Sequence, residues 1–415
     1  MAEYVEPINE REGLEEFSQW RGLRNNVAPE SFGRGDLVSA LNCDVDDALG
    51  IGRRKGYSTV VTSAIDRSLF ASGATCLGVG SNSLKQVNPD WTTTVLRTGL
   101  TATRALSYAA VADRIYWSNG IDLGCVQNGT NRTWGITLPA APLAVATGGS
   151  LPAGKYQIAV TYLRSDGQES GAARAGTIEL TTTGGIALSV IPVSTDPTVT
   201  DKAIYISPVG GETLYRAGVI DNSTTDFAIR EVRMSASPLL TQFLSPPPAG
   251  DHIAYFKGWM LVASGSRLYP SESYAPELFD VRKSIPFADR ITMVAPAKDG
   301  VWLGSSNQVL HMTGDSPEAW VFRVVAEYGV IPGTLTYGDG ELLGDGSAAG
   351  EQVAFFASKR GLCAGLPGGR LTNLTESRFA YPSMDRGASI VRRHRGIVQM
   401  VTTLQGTEVA GNVAA

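Results

Sequence analysis

Cysteine and histidine are scarce in this sequence, which has 4 cysteines and 3 histidines among 415 residues. No Cys-x-x-Cys pair occurs, and each cysteine sits in or beside an apolar segment. We therefore interpret the cysteines as buried free thiols rather than a metal site or a disulfide framework; they are Cys43, Cys76, Cys125 and Cys363. The histidines show neither the His-x-x-His nor the Glu-x-x-His spacing of zinc sites. They are His252, His311 and His394.

Long apolar runs are also absent. No segment approaches the roughly 18 to 20 apolar residues of a membrane span, and residues 1–11 are polar and acidic. The sequence therefore predicts no membrane insertion and no signal peptide, with assembly in a cytosol or release by lysis. The net charge of -5 argues against an electropositive surface for nucleic-acid phosphate, although it is compatible with DNA passing through a bore.

Local catalytic motifs are missing. No Gly-x-Ser-x-Gly segment occurs, and no Gly-rich loop ends in Gly-Lys-Ser/Thr. Two carboxylates that converge on one face of the fold would make a glycosidase, with Asp280, Glu318 and Glu327 as candidates. That enzyme hypothesis rests only on analogy with enzymes that share the β-propeller fold predicted below. We predict no catalytic residue, no bound cofactor and no metal.

Helical periodicity is scarce, and a repeated unit of two short apolar strands takes its place. A charged-Gly turn precedes the first strand, and a Gly/Ser/Asn turn follows about seven residues later. The five copies begin at Ser72, Asp113, Lys257, Asp299 and Arg360. Hairpins recurring at roughly 35 to 60 residues must stack to bury their apolar faces, which is typical of a β-propeller. We predict an all-β fold with a propeller of about six or seven blades.

The pattern changes between Pro139 and Pro248, where longer alternating strands occur at the spacing of a β-sandwich. Residues 150–156 and 160–162, with Asp166-Gly167-Gln168-Glu169-Ser170, resemble the fibronectin-III-like domains inserted in phage and surface proteins. This resemblance implies recognition or spacing rather than catalysis. The predicted organisation is an extended arm (1–36), a first propeller part (37–138), the fibronectin-III-like insertion (139–248) and a second propeller part (249–415).

The N-terminal segment has a second resemblance. Residues 22–26 read Gly-Leu-Arg-Asn-Asn, and Asn42-x-Asp44-x-Asp46, Gly50, Arg53-Arg54 and Gly56-Tyr57 follow. This pattern resembles the opening of bacteriophage tail proteins of the nozzle, or tail-tubular-protein-B-like, family. Lys55 stands where a proline is common in that family, which leaves the turn more flexible.

The nozzle resemblance implies a structural virion protein that closes and guides the DNA exit channel of a short tail. It implies a homo-oligomer, a hexameric ring, assembled in the host cytoplasm with an adaptor and tail fibres. Viral DNA would pass through without sequence-specific binding. Two alternatives stay open: a host-receptor-binding or fibre-attachment module, and a polysaccharide-degrading tail enzyme.

Two further groups of residues have two interpretations each. The run 392–395, Arg-Arg-His-Arg, is either a solvated face or a patch for phosphate or an acidic partner. The tryptophans of the hairpin strands either pack blade against blade or form a platform for sugars; they are Trp117, Trp259 and Trp302.

Asp44, Asp46 and Asp47 precede Gly50 at a spacing at which carboxylates can share calcium, but no later acidic ligand follows as in an EF-hand. We interpret them as turn residues. A chelator should therefore leave the melting temperature unchanged, because only a ligand bound to the native state stabilises it. A drop in melting temperature with chelator that calcium reverses would establish a metal site instead.

Overall fold

The computed structural model describes residues 20–40, 43–45, 49–54, 56, 58, 65–101, 104–231, 237–343, 348–381, 384–394 and 397–406. Within these residues the secondary structure consists of β-strands and short 3-10 turns, with no α-helix. The chain divides into two compact units. The larger contains Val60–Glu327 with Pro367–Gly369, and the smaller contains the remaining residues.

The smaller unit begins with two short ladders. β1 (Gly22–Leu23) pairs in parallel with β2 (Asp36–Leu37), across a 3-10 turn at Pro29–Ser31. β3 (Cys43–Val45) pairs antiparallel with β4 (Ile51–Arg53). Asp44, a candidate calcium ligand, lies on β3 and forms an ion pair of 3.0 Å with Arg54. Asp46 and Asp47 lie outside the described residues.

The larger unit begins with two four-stranded antiparallel sheets, each a simple meander. The first sheet consists of β5 (Arg67–Ser72), β6 (Thr75–Gly80), β7 (Ser83–Val87) and β8 (Thr93–Arg97). The second consists of β9 (Ser107–Val111), β10 (Arg114–Ser118), β11 (Leu123–Gln127) and β12 (Thr130–Arg132). These are the sheets expected of propeller blades.

A sandwich of seven strands follows in the chain, inside the predicted insertion. Its strands are β13 (Leu143–Leu151), β14 (Gly154–Arg164), β15 (Gly176–Leu180), β16 (Gly184–Ser189), β17 (Val199–Ile206), β18 (Tyr215–Asp221) and β19 (Phe227–Ile229). The two sheets have the orders β13-β16-β19 and β15-β14-β17-β18. The β14-β17-β18 order matches the C-F-G sheet of an immunoglobulin-type sandwich, and β13-β16 matches its B-E pair.

Two more meanders complete the larger unit. The third blade consists of β20 (His252–Phe256), β21 (Trp259–Ser264), β22 (Arg267–Pro270) and β23 (Ile285–Pro286), with a 3-10 turn at Val281–Lys283. The fourth consists of β24 (Ile291–Pro296), β25 (Val301–Ser305), β26 (Val309–Thr313) and β27 (Val321–Ala326), with a 3-10 turn at Pro317–Ala319.

The smaller unit contains a fifth meander and a long two-stranded ribbon. The fifth blade consists of β28 (Thr336–Asp339), β29 (Gln352–Ser358), β30 (Gly361–Leu366) and β31 (Arg370–Asn373), with a 3-10 turn at Gly340–Leu343. The 3-10 turn at Pro367–Gly369, between β30 and β31 in the chain, belongs to the larger unit. The ribbon consists of β32 (Met384–His394) and β33 (Ile397–Gly406). The described residues thus contain five four-stranded meanders besides the sandwich, and β1–β2, β3–β4 and β32–β33 are two-stranded.

The hairpin turns follow from their residues. Lys257 and Gly258, between β20 and β21, both have positive φ, 45° and 91°. Two consecutive positive φ angles give a type I′ turn, whose twist matches that of the flanking strands. Asn128 and Gly129 form the same kind of turn between β11 and β12, with φ of 50° and 71°.

Consecutive blades of the larger unit bury their apolar faces against one another. The first and second blades share a core that includes Leu77 and Trp117, and the second and third share one that includes Tyr116 and Met260. The third and fourth share a core that includes Leu261. The first strands of these blades are neighbours in succession: β5 contacts β9, β9 contacts β20, and β20 contacts β24. The predicted all-β propeller with an inserted sandwich is confirmed.

The segment 20–37 is anchored within the smaller unit. The carboxylate of Asp36, 1% exposed, forms ion pairs of 2.9 Å with both Arg24 and Arg378. The hydrogen bond from Arg24 lowers the pKa of Asp36, with further contributions from the Gly33 N–H and from Arg378, against the opposing effect of burial. Asn25 also pairs its side-chain amide with the backbone of Ala380, by two hydrogen bonds of 2.9 Å. Residues 1–19 of the predicted arm lie outside the described residues.

A buried carboxylate joins the sandwich to the second and third blades. Glu277, in the loop after β22, has a side chain that is 1% exposed. It forms ion pairs with Arg164 at the end of β14 (2.6 Å), Arg132 on β12 (2.8 Å) and Arg114 on β10 (3.1 Å). The Tyr116 hydroxyl also donates a hydrogen bond of 3.2 Å to the Glu277 carboxylate. We call these residues the Glu277 cluster.

Two aspartates of the sandwich balance the remaining positive charge of the Glu277 cluster. Asp166 accepts from Arg114 at 2.9 Å, and Asp196 pairs with Arg164 at 3.2 Å. Burial opposes ionisation of Asp196, but hydrogen bonds from Thr133, Thr198 and Arg164 outweigh it and lower its pKa to about 2. Three guanidinium groups thus face three carboxylates, which is the condition for burying charge at tolerable cost.

Removing the charge of Glu277 should destabilise the protein strongly. In Glu277→Gln, Arg164, whose side chain is 2% exposed, loses its closest counter-charge. We expect a loss of about 3 kcal/mol or more, because an uncompensated buried charge costs that much. Thermal unfolding would show it as a melting temperature lower by several degrees.

The matched control is Glu179→Gln. The Lys155–Glu179 pair spans 3.9 Å, with side chains 75% and 63% exposed. Such an exposed pair contributes under about 1 kcal/mol, so the control should melt like the wild type. Equal melting of both variants would contradict a stabilising role for the Glu277 cluster.

Candidate functional site

The three candidate glycosidase carboxylates have separate surroundings. Asp280 forms two hydrogen bonds of 2.8 Å with Arg282, which lower its pKa. Glu318 is exposed in the 3-10 turn before β27, and its own backbone N–H and Ser316 lower its pKa. Glu327 is exposed just after β27. No hydrogen bond of the described residues links any two of them, and a general acid would need a raised pKa.

The three hairpin tryptophans pack in or against the blade cores. Trp117 is fully buried, donates its indole N–H to Asn131 at 2.9 Å, and lies under the Arg97 guanidinium. Trp302 is also fully buried. Trp259 is partly buried and meets Trp320 edge to face, with ring centroids 6.2 Å apart. Packing, rather than a sugar platform, therefore accounts for these residues.

A small pocket of about 260 Å³ lies beside the fourth blade. Its lining includes Asp299, His311, Thr313, Arg323 and Gly368. The His311 ring rests on Trp302, with centroids 4.6 Å apart. This volume is below the roughly 300–1,000 Å³ of typical ligand pockets.

His311 is held between two glycines. A Cβ at Gly300 would lie 2.6 Å from its Nε2, and a Cβ at Gly369 would lie 2.5 Å from its Nδ1. Burial lowers the pKa of His311, so the ring is neutral near pH 7. Within the described residues, His311 Nε2 and Asp299 Oδ1 are buried without a hydrogen-bond partner. These atoms can bind a small polar group, but a catalytic assignment has no further support in the described part of the chain.

The remaining histidines and the cysteines lie far apart along the chain. His252 begins β20, and the backbone of His394 ends β32. All four cysteines are free; Cys125 and Cys363 are buried, while Cys43 and Cys76 are partly buried. Across the described ranges, no three His, Cys, Asp or Glu side chains are grouped to hold a metal ion. No helix in that part of the chain is long and apolar enough to cross a membrane.

The most unusual surface is the three-stranded sheet of the sandwich. None of the residues in β13, β16 and β19 is charged. On β13 the outward side chains of Leu143 and Val145 are 63% and 58% exposed. β13 also pairs on one side only, with β16. We call this surface the uncharged sheet.

The other sheet of the sandwich carries charged residues, and its outer face is covered. Each of its strands carries at least one charged residue, such as Glu179 on the edge strand β15 and Arg216 on the edge strand β18. Its outer face is covered by the chain itself, because Ala159 and Tyr205 pack against Leu214 and Leu239. The uncharged sheet lacks the charges that normally protect an edge strand.

Sequence reasoning missed both the Glu277 cluster and the uncharged sheet. The nine residues of β13 without any charge are a visible signal for the second. Nothing local marks Glu277, whose partners Arg114, Arg132 and Arg164 lie 163, 145 and 113 positions away.

No protein-family model matches this sequence, and no curated protein is significantly similar to it. Among solved structures, BBS1N in complex with ARL6DN is 10% identical over 85% of this chain and 96% of that chain, with a TM-score of 0.34. PorZ, a surface component of the type-IX secretion system of Porphyromonas gingivalis, is 11% identical over 84% of this chain and 52% of that chain, with a TM-score of 0.19. Neither similarity bears on the function of this chain.

Stability should fall as pH decreases from 6.5 to 4, in part through His252. Burial lowers the pKa of His252 to about 4, from an ordinary 6.5, although Asp251 opposes the shift. The unfolded chain therefore binds more protons in this window, so stability is complete above pH 6.5 and is lost as pH falls towards 4. This shift corresponds to an upper limit of about 3 to 4 kcal/mol, and we expect a smaller loss because His252 is only partly buried.

The variant His252→Gln tests this contribution. It has no titrating group at that position, so its stability should fall less between pH 6.5 and 4, as measured by urea unfolding at several pH values. At pH 8, where His252 is neutral, any difference between variant and wild type reports the substitution itself. Parallel pH profiles for the two proteins would show that His252 does not titrate in this window.

Proposed function

We propose that this chain is a structural protein of a bacteriophage tail, a nozzle subunit that forms a homo-oligomeric ring around the DNA exit channel. The resemblance of residues 22–57 to the nozzle family motivates this proposal. The observation that carries the proposal is the uncharged sheet, because exposed apolar surfaces and unprotected edge strands are normally covered by a partner.

The Glu277 cluster supports the same role. It fixes the sandwich to the second and third blades through contacts with Arg164, Arg132 and Arg114. A firmly attached sandwich holds the uncharged sheet in a defined orientation relative to those blades. A ring built from identical subunits needs such fixed angles, since each subunit must meet its neighbours at the same angle for the ring to close.

Substitution of one outward valine on each sheet tests the assembly surface. Val145→Lys adds a charge to β13 at a side chain that is 58% exposed. The matched control, Val219→Lys, adds the same charge to the edge strand β18, where the valine is 48% exposed. Light scattering of the full chain should show a ring for the wild type and the control, and a smaller species for Val145→Lys.

The oligomeric states of the three proteins test both the nozzle and the role of the uncharged sheet. A wild-type protein that stays monomeric at high concentration contradicts the nozzle. Equal oligomers for all three proteins remove the uncharged sheet from the interface. In particles assembled with Val145→Lys, we expect loss of packaged DNA.

A host-receptor-binding module is the second candidate, because the uncharged sheet can equally dock a surface partner. Binding of the purified monomer to bacterial cells, abolished by Val145→Lys and retained by Val219→Lys, would favour that function over the ring.

A further inference from the structure

The ribbon formed by β32 and β33 has one face packed and one face free. Its strands are 11 and 10 residues long, which corresponds to about 35 Å at 3.3 Å per residue. The ribbon is fixed at its base, where the Gly387 N–H donates to the carbonyl of Pro332 at 2.9 Å. Met400 packs on the core of the fifth blade, together with Leu342 and Leu343.

Alternate residues of β32 form the opposite face, which we call the free face. Its side chains are all exposed; they are Arg386, Ala388, Ile390 and Arg392. The apolar side chain of Ile390 is 58% exposed. An isolated two-stranded ribbon is marginally stable in water, so the packed face stabilises it and the free face is available for a ligand.

The two arginines of the free face are held by neutral partners. Arg392 donates to the Gln399 side-chain oxygen from Nε (3.2 Å) and from Nη2 (2.8 Å). Arg386 donates to the Gln405 side-chain oxygen at 2.7 Å. Elsewhere in the described residues many arginines pair with carboxylates, as Arg24 and Arg378 do with Asp36. The charges of Arg386 and Arg392 are therefore positioned but not neutralised by these contacts.

These contacts leave mainly hydrogen-bond donors on the free face. Each glutamine uses its carbonyl oxygen for a guanidinium group, so its amide N–H groups remain for a ligand. The acidic residue of the two strands is Asp385, next to Arg386 on β32, and β33 has no charged residue. A face of cations and amide donors complements an anion rich in acceptor oxygens.

We propose that the free face of the ribbon binds the phosphate backbone of duplex DNA. Arg386 and Arg392 are six residues apart on one strand, about 20 Å, which is the axial length of roughly six base pairs. The choice of DNA over other polyanions rests on the proposed tail function, and the phosphate chemistry rests on the ribbon. The contacts are to the backbone, so they position DNA without reading its sequence.

Fluorescence anisotropy with a labelled duplex of about 30 base pairs tests the proposal on the full chain. The test variant is Arg386→Gln with Arg392→Gln. The control is Arg174→Gln with Arg216→Gln, which removes two exposed arginines of the sandwich. A third protein, Arg386→Lys with Arg392→Lys, keeps the charge.

The wild type, the control and the lysine variant should bind the duplex. The test variant should bind roughly tenfold more weakly at low salt, since it loses two charge-assisted contacts. The slope of log affinity against log salt concentration should also be less steep, by about 2 for each bound subunit, because each lost phosphate contact removes about 0.9 from the slope. Unchanged affinity and slope in the test variant would overturn the proposal, as would absence of duplex binding by the wild type.

Two further measurements keep the explanations apart. Stronger binding to phosphatidylglycerol vesicles than to the duplex would assign the free face to a membrane and reject DNA. Light scattering of the same samples tests the ring separately. A monomer that binds DNA through Arg386 and Arg392 supports the ribbon and contradicts the nozzle, whereas a ring whose DNA binding survives the double substitution contradicts the ribbon alone.

Discussion

The interaction between Glu277 and three arginines is the constraint on which the larger unit depends. Blades stack on blades through apolar contacts that any similar residues could make, but the sandwich joins the second and third blades through charges that are almost fully buried. Buried ion pairs are tolerated only when every member has a partner. A few directional contacts therefore help to specify the position of the sandwich, beside the apolar cluster of Ile136, Tyr162 and Val199.

The insert is tied down at its ends as well. Gly135, just before the sandwich, packs against Pro246, just after it, so closely that a Cβ would lie 2.7 Å from the proline Cβ. Ser245 and Phe279 exchange two backbone hydrogen bonds of 2.9 Å. These contacts place the segment that leaves the sandwich next to the loop that carries Glu277. The chain connection and the Glu277 cluster therefore hold the sandwich at the same junction.

The sequence predicts the elements well because their causes are local. Turns such as Lys257-Gly258 need positive φ angles, and a glycine in a short polar pair predicts such a turn. The alternation of residues 155–162 likewise predicts a strand. The Glu277 cluster could not be predicted, because it depends on which strands become neighbours. Of the free face, the sequence marks only Arg392, within the run 392–395, and the structure is needed to place Arg386 on the same face. Residues 22–26 belong to the pattern that resembles the nozzle family, but only the structure shows a physical role for Asn25, whose side-chain amide pairs with the backbone of Ala380.

The separation of Glu277 from its partners also has a consequence for biosynthesis. Arg132 leaves the ribosome 145 residues before Glu277, which is roughly 7 to 30 s at ordinary rates of translation. During that interval the sandwich can complete its own core, while the arginines of the second blade have Asp166 of the sandwich as a counter-charge but not yet the buried Glu277. The Glu277 cluster can thus be completed only after the loop that follows β22 has been synthesised, later than the sandwich and the second blade that it joins.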